Sequence, residues 1–262
     1  MKLLEEVITI ARQAGDAIMA VYESSSLEVQ RKDDNSPLTQ ADLAAHHVIE
    51  AGLKQLTPDL PVLSEESASV SFATRSVWKR YWLVDPLDGT REFIKRNGEF
   101  TVNIALIEQY EPVLGVVYAP AKDLLYYASK GNGAFKQADG AEAEVICTRT
   151  YNAEALTVAG SRSHADETLM RFINRLGPCQ LVSMGSSLKI CLVAEGRADI
   201  YPRLGLTSEW DTAAAQCVLA EAGGALIGLD GNNFRYNSKE SMLNPHFLAI
   251  GDKRHPWTDY LE

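Results

Sequence analysis

Apolar residues at Leu3, Val7, Ile10, Ala14, Ile18 and Val21 recur every three or four positions, the period of a helix that buries one stripe. This spacing predicts a helix over residues 3–23. A second is expected over residues 38–56, its start marked by Ser36-Pro37, a polar cap followed by a proline suited to the first helical turn. Across residues 77–135 the period shortens to two. Phe100, Val102, Ile104 and Leu106 alternate with Thr101, Asn103 and Ala105, and apolar runs at 81–84, 113–118 and 124–128 are separated by turn signals at Glu111-Pro112, Ala119-Pro120 and Gly131-Asn132-Gly133. That pattern predicts an antiparallel meander.

After the polar stretch at 139–144, shorter strands alternate with helices. Strands are expected at 156–159, 181–184 and 198–201, each preceding a helix, at 166–176, 188–195 and 211–222 respectively, the last ended by Gly223-Gly224. Two lobes follow from this change of rhythm: an α+β lobe over residues 1–149 and a more α/β-like lobe over residues 150–262.

The chain has 262 residues, 46% hydrophobic and 23% charged, which is the mixture of a globular protein long enough to bury a sizeable core. Twenty-five Lys and Arg against 35 Asp and Glu leave a formal charge of −10, which argues against a nucleic-acid polymer as partner. A small phosphorylated ligand stays open, because a bound divalent cation inverts the field of an acidic site. Cys147, Cys179, Cys191 and Cys217 stand far apart without Cys-x-x-Cys or zinc spacing and are expected to be reduced, mostly buried thiols. Acidic residues interrupt the first apolar positions, and no apolar run is long enough to span a bilayer, so a soluble cytoplasmic protein is expected. Peripheral contact with the inner face of the cell membrane would leave no mark in such a sequence.

The segment Trp82-Leu83-Val84-Asp85-Pro86-Leu87-Asp88-Gly89-Thr90-Arg91 reads as a strand entering a turn and then a helix. Pro86 fixes one dihedral and Gly89 permits a backbone angle that a side chain hinders. Asp85, Asp88 and the Leu87 carbonyl can then converge on one point. Asp-Pro and Asp-Gly are also common turn dipeptides, but the fixed positions of Asp-Pro-x-Asp-Gly-Thr arise by chance in a chain of this length with a frequency on the order of 10⁻⁴. Two more acidic sites are Glu65-Glu66-Ser67, after a short apolar run, and Trp210-Asp211-Thr212. Taken alone, Asp211 reads as a helix N-cap.

Together these three segments, in this order, resemble the signatures of the inositol monophosphatase superfamily of magnesium-dependent, lithium-sensitive phosphomonoesterases. The resemblance implies a two-lobed, layered α/β/α/β/α sandwich. It also implies that Glu65, Asp85, Asp88, Asp211 and the main-chain carbonyl of Leu87 ligate two or three Mg²⁺ ions, with Mn²⁺ as a substitute. Leu87 and Leu38 replace the more usual Ile and Val, and Ala215 stands where Gly is common; none of these changes removes a ligand. Four carboxylates sharing one site would repel one another by a total on the order of 10–20 kcal/mol, comparable to a domain's whole stability. Cations or protons must neutralise them, and an all-oxygen set with water-filled positions favours Mg²⁺.

By the same resemblance, Thr90 orients an attacking water and Asp42 with Thr39 assists its activation, with Glu65 also among the catalytic residues. Amides around Gly89 are expected to donate to phosphate oxygens. Asp33 or Asp34 is either a weaker metal ligand or part of a solvated loop. In the second lobe, Ser161 and His164 lie at a strand end, Ser186 or Ser187 and Lys189 open a helix, and Arg203 closes a strand. As charge-assisted donors they would suit a second phosphate, with His164 beside a base; the bland reading makes them caps and surface charges. The pattern most resembles the bacterial bisphosphate nucleotidases of that superfamily. It implies hydrolysis of the 3′-phosphate of adenosine 3′,5′-bisphosphate, or of its sulfated precursor, in sulfate assimilation. The alternatives are an inositol or other polyol monophosphatase and a catalytically silent phosphonucleotide-binding protein. Oligomeric state is expected to be a monomer or homodimer.

Overall fold

The computed structural model describes residues 2–24, 29–31, 37–67, 69–160 and 167–261. The first helix, α1 (Lys2–Tyr22), buries the expected stripe through Val7, Ile10, Ala14 and Ile18. It packs beside α2 (Gln40–Leu56). The second helix starts later than the proline suggests. Pro37–Thr39 is a short strand, β2, paired antiparallel with β1 (Val29–Arg31), and Thr39 is the N-cap, joined to Asp42 in a capping box. That reciprocal pairing outweighs the preference of proline for a first helical turn.

The next strands are β3 (Val62–Ser64), β4 (Arg80–Asp88), β5 (Thr101–Glu108), β6 (Glu111–Ala119), β7 (Leu124–Ser129), β8 (Ala134–Ala138) and β9 (Glu144–Ile146). They form one seven-stranded sheet in sequence order, antiparallel throughout except that β3 runs parallel to β4. The expected turn at Glu111-Pro112 falls one step earlier. Gln109 and Tyr110 both take positive φ, which suits a two-residue hairpin turn, and Pro112 lies within β6 opposite Ile107 at a register shift.

Between β3 and β5 lie two short helices, α3 (Phe72–Arg75) and α4 (Thr90–Ile94). After the first sheet come β10 (Thr157–Gly160), α5 (Glu167–Leu176), β11 (Gln180–Ser183), α6 (Leu188–Ala194), β12 (Ile200–Arg203), α7 (Glu209–Glu221), β13 (Ala225–Gly228) and β14 (Phe247–Ile250). The second sheet has the order β11-β10-β12-β14-β13. Its parallel half, β11-β10-β12, matches the strand–helix alternation. The pattern gives no hint of β14, which inserts antiparallel between β12 and β13.

The result is five layers. Helices α1 and α2 cover one face of the first sheet through Trp82, Val102, Ile104 and Val116. Helices α6 and α7 fill the middle, packed against Leu83, Ala105 and Val117 on one side and Tyr201, Leu226 and Ala249 on the other. On the outer face of the second sheet, α5 and Trp257 close the molecule over Val158, Ile200 and Leu248. Both faces of β5 are therefore buried. Thr101 and Asn103, the polar members of the alternating set, are 0% and 1% exposed, facing the middle layer rather than solvent. The middle layer fits because small residues meet there: a Cβ on Gly115 of β6 would collide with the Ala214 carbonyl of α7. Cys191 and Cys217 are buried in this layer, whereas Cys147 is exposed and Cys179 half-buried, so only two of the four thiols follow the expectation of burial. Among the described residues, no helix is long and apolar enough to cross a membrane.

Candidate active site

Strand β4 pairs with β5 up to Asp85 opposite Asn103, then slips before Asp88 meets Thr101. Three steps on one strand match two on the other, and the spare residue makes a bulge. Pro86, with no N–H to give the ladder, sits inside it. The Asp-Pro-Leu-Asp segment is thus an irregular strand end rather than a turn after the strand. The Asp85 carboxylate is buried and accepts the Leu87 N–H at 3.0 Å. Gly89 follows at φ +92° with Glu99 O only 3.2 Å from where a Cβ would stand, so a side chain here would be both strained and crowded. The helix it opens, α4, is five residues long.

From α4, Thr90 reaches back to α2. Its Oγ1 donates to Asp42 Oδ1 at 3.3 Å and lies 3.5 Å from Leu87 O. The other oxygen, Asp42 Oδ2, accepts from Thr39 N at 2.8 Å and Thr39 Oγ1 at 2.6 Å. These bonds hold Thr39, Asp42 and Thr90 in one chain.

The other side of the cleft comes from the middle layer and the second sheet. Asp88, Gly89, Ser186, Lys189, Arg203 and Asp211 line one cavity, with Glu92, Tyr201, Thr207 and Thr212 among their neighbours there. Asp88 Oδ2 accepts the Ser187 N–H at 2.6 Å. The Ser187 hydroxyl lies 2.9 Å from Thr101 Oγ1 and donates to Asn103 Oδ1 at 2.8 Å, so the buried polar face of β5 joins the two halves of the cleft. Lys189 Nζ donates to the carbonyls of Ser186 and Met184 at 2.6 and 3.2 Å, bracing the loop before α6. Burial pulls its ammonium down to about 8, although the Asp88 carboxylate pulls the other way. Arg203 Nη2 donates to Leu206 O at 2.8 Å, and its buried Nε has no hydrogen-bond partner among the described residues.

Asp211 is not the N-cap of α7. Ser208 is, and Asp211 is the third helical residue, its Oδ2 accepting the Ser208 N–H at 2.9 Å. Burial raises the Asp211 carboxyl well above its ordinary value, and the charges of Asp88 and Glu65 add to the effect. Burial raises Asp88 likewise, countered by Lys189 and the Ser187 amide and reinforced by Glu65 and Glu92. Among the described residues, no three Asp, Glu, His or Cys side chains close on a common point as they stand, and Asp85, Asp88 and Asp211 are each held by a backbone N–H donor. The donors nonetheless fit a hard divalent cation. They are all oxygen, and Asp88 and Asp211 hold negative charge that burial makes costly.

Ser161 and His164 lie outside the described residues, as do Asp33 and Asp34. Asn103 and Glu99 carry more of the site than the sequence indicates, and Ser187, the alternative to Ser186 as a donor, is tied to Asp88, Thr101 and Asn103. Glu99 Oε2 accepts the Gly185 N–H at 2.9 Å, and nothing local in the sequence marks it.

Residues 2–254 match the inositol monophosphatase family, and the chain belongs to it. It is 53% identical over 246 residues to the 3′(2′),5′-bisphosphate nucleotidase CysQ of Salmonella typhimurium, covering 94% of this chain and 98% of that one. The crystal structure of CysQ from Bacteroides thetaiotaomicron matches with a TM-score of 0.84 at 42% identity, over 95% of this chain and 97% of that one. An IMPase from Thermotoga maritima matches with a TM-score of 0.79 at 26% identity, over 99% and 96%. Enzymes of this family are metal-dependent phosphatases.

Proposed function

We propose that this chain is a Mg²⁺-dependent 3′(2′),5′-bisphosphate nucleotidase that removes the 3′-phosphate of adenosine 3′,5′-bisphosphate to leave AMP. The observation that carries this reading is the full-length likeness to the Salmonella nucleotidase. The cleft supports it: the cations Lys189 and Arg203 line the same cavity as the carboxylates Asp88 and Asp211. A substrate with two phosphates uses both the cation-binding carboxylates and these two basic side chains, whereas a polyol monophosphate needs only the carboxylates.

In this reading Glu65, Asp85, Asp88, Asp211 and the Leu87 carbonyl hold the cations. When bound, Mg²⁺ supplies charge neutralisation at the phosphoryl oxygens and a more acidic water. The chain's own part begins with Thr90. Its hydroxyl donates to Asp42 Oδ1, which leaves an Oγ1 lone pair to accept a proton from water. Asp42, fixed through Oδ2 by two donors from Thr39, takes the proton that Thr90 passes on. Arg203 and the loop braced by Lys189 orient the far phosphate, and the Gly89 amide serves the near one. The lobe at 1–149 supplies most of the cation ligands and the lobe at 150–262 supplies Asp211 and the residues of selection, and the enzyme acts on a soluble nucleotide in the cytoplasm.

The test is inorganic phosphate release with Mg²⁺ from adenosine 3′,5′-bisphosphate, inositol 1-phosphate and fructose 1,6-bisphosphate at equal concentration, with the nucleotide product identified. Dominant conversion to 5′-AMP is expected. Preference for inositol phosphate would replace the substrate assignment, and nucleotide binding without phosphate release would replace catalysis with sensing.

A further inference from the structure

A polar network lies outside the lining of the cleft. Glu209, the first residue of α7, is 1% exposed, Arg75 at the end of α3 is 2% exposed and Asn237 is 1% exposed. Asn237 Oδ1 accepts from Arg75 Nη1 at 2.5 Å, and Asn237 Nδ2 donates to Arg75 O at 2.6 Å. The second Arg75 nitrogen, Nη2, donates to the Glu240 carbonyl. The Asn237 N–H donates to Glu209 Oε2 at 2.7 Å, and Lys239 Nζ reaches Glu209 Oε1 at 3.3 Å. Asn237 takes φ +54°, a left-handed conformation in which Asn is among the better tolerated side chains. Two backbone bonds, Glu209 N to Met242 O and Asn244 N to Thr207 O, both at 2.8 Å, continue the attachment.

The ends of this network carry its meaning. Arg75 belongs to the segment that starts at Glu65, ten residues earlier, whereas Glu209 is two residues before Asp211. Glu65 follows β3 of the first sheet and Asp211 lies in the first turn of α7, so the two carboxylates come from different elements and, as like charges, repel each other. Something rigid must hold their supports together. Three buried polar side chains, linked by bonds of 2.5 to 2.7 Å, are stiff and would be costly to break singly.

We infer that Arg75, Asn237 and Glu209 form a buried clamp that fixes the spacing between Glu65 and Asp211, and so sets how tightly the acidic site takes a divalent cation. They are positioning residues and touch neither cation nor substrate. The inference rests on the proposed cation site. Its link to turnover also rests on the nucleotidase reading.

The experiment measures Mn²⁺ binding to the full, nucleotide-free chain by calorimetry, for the wild type, Asn237→Gly and Glu209→Gln, with melting in metal-free buffer and the half-activating Mg²⁺ concentration for phosphate release alongside. Gly keeps the left-handed backbone at no cost, so Asn237→Gly removes only the side-chain rungs. Both variants should bind Mn²⁺ about tenfold more weakly, the scale of changes to groups that orient metal ligands, with half-activating Mg²⁺ rising in parallel. Asn237→Asp, which keeps the acceptor for Arg75 Nη1, should recover part of the loss. Mn²⁺ affinity within about twofold of wild type in both variants, with only the melting temperature lowered, would overturn the clamp in favour of a plain structural role. If Asn237→Gly does not fold, Glu209→Gln decides alone by the same two outcomes, since Gln keeps the size and an acceptor for the Asn237 N–H. A wild type silent on adenosine 3′,5′-bisphosphate would overturn the nucleotidase reading and leave the calorimetric result standing.

Discussion

Helices α2 and α7 enter the cleft from opposite sides and begin with the same device, a hydroxyl residue at the N-cap and an aspartate three positions on. The two aspartates meet different surroundings. Asp42 is closed in by Thr39 and Thr90, which between them donate three hydrogen bonds to its carboxylate. Asp211 accepts the Ser208 N–H and faces Asp88 and Glu65, whose charges push its carboxyl up beyond the effect of burial. A capping aspartate costs little to place, because the helix start wants an acceptor there. What surrounds the carboxylate then sets it apart: in the proposed function Asp42, held by hydroxyls, passes protons, and Asp211, facing carboxylates, holds a cation.

The sharpest way to break this comparison is to neutralise both residues in turn. Asp211→Asn keeps an acceptor for the Ser208 N–H and removes one of the repelling charges. Turnover should fall by roughly 10³-fold or more, as when a main electrostatic contact to the reacting group is lost. Mn²⁺ binding by calorimetry should fall with it, while melting in metal-free buffer holds or rises. A melting temperature well below wild type in that buffer would show that Asp211 serves the fold first.

Asp42→Asn should separate the two functions. The amide oxygen can take both Thr39 donors, but its NH₂ then faces Thr90, which can no longer donate. Turnover should drop by about 10²–10⁴-fold, the range for a lost acid–base partner, while Mn²⁺ binding stays at the wild-type level. Loss of Mn²⁺ binding here would erase the distinction between the two helix starts.

The segments of the site also differ in how far the sequence discloses them. Asp85-Pro86-Leu87-Asp88-Gly89-Thr90 is legible because its chemistry is local: a proline, a glycine and two carboxylates within six residues. The start of α7 is misjudged by two residues, since Trp210-Asp211 catches the eye and the true cap, Ser208, looks like any loop serine. Alternation on β5 sets Thr101 and Asn103 on one face of the strand, and only the second layer above them shows why they are polar. The clamp is invisible because its bonds join residues 28 and 162 positions apart. Strand β14 is missed for a related reason, since four apolar residues carry no period that distinguishes strand from helix.

The smallest expected effect concerns one turn further along each helix, where α2 has His46 and α7 has Ala215. His46 is 7% exposed and its Nδ1 lies 2.9 Å from Ser64 Oγ, beside Glu65. Burial lowers its pKa below the ordinary value of 6.5; Glu50 pulls upward, while His47 and Lys54 add to the lowering. The native state therefore binds this proton less readily than the unfolded chain. The stability this contributes is complete above a pH of about 6.5 and is lost as pH falls through the lower native pKa. Acid should unsettle the α2 side of the cleft while the corresponding position of α7, an alanine, has nothing to titrate. Melting temperatures of wild type and His46→Gln in metal-free buffer between pH 7.5 and 5.5 isolate the effect, because every other titrating group is common to both. The wild type should lose more stability over that interval than His46→Gln. Parallel curves would mean that the His46–Ser64 contact accommodates the charge, and that the two helix starts respond to acid alike.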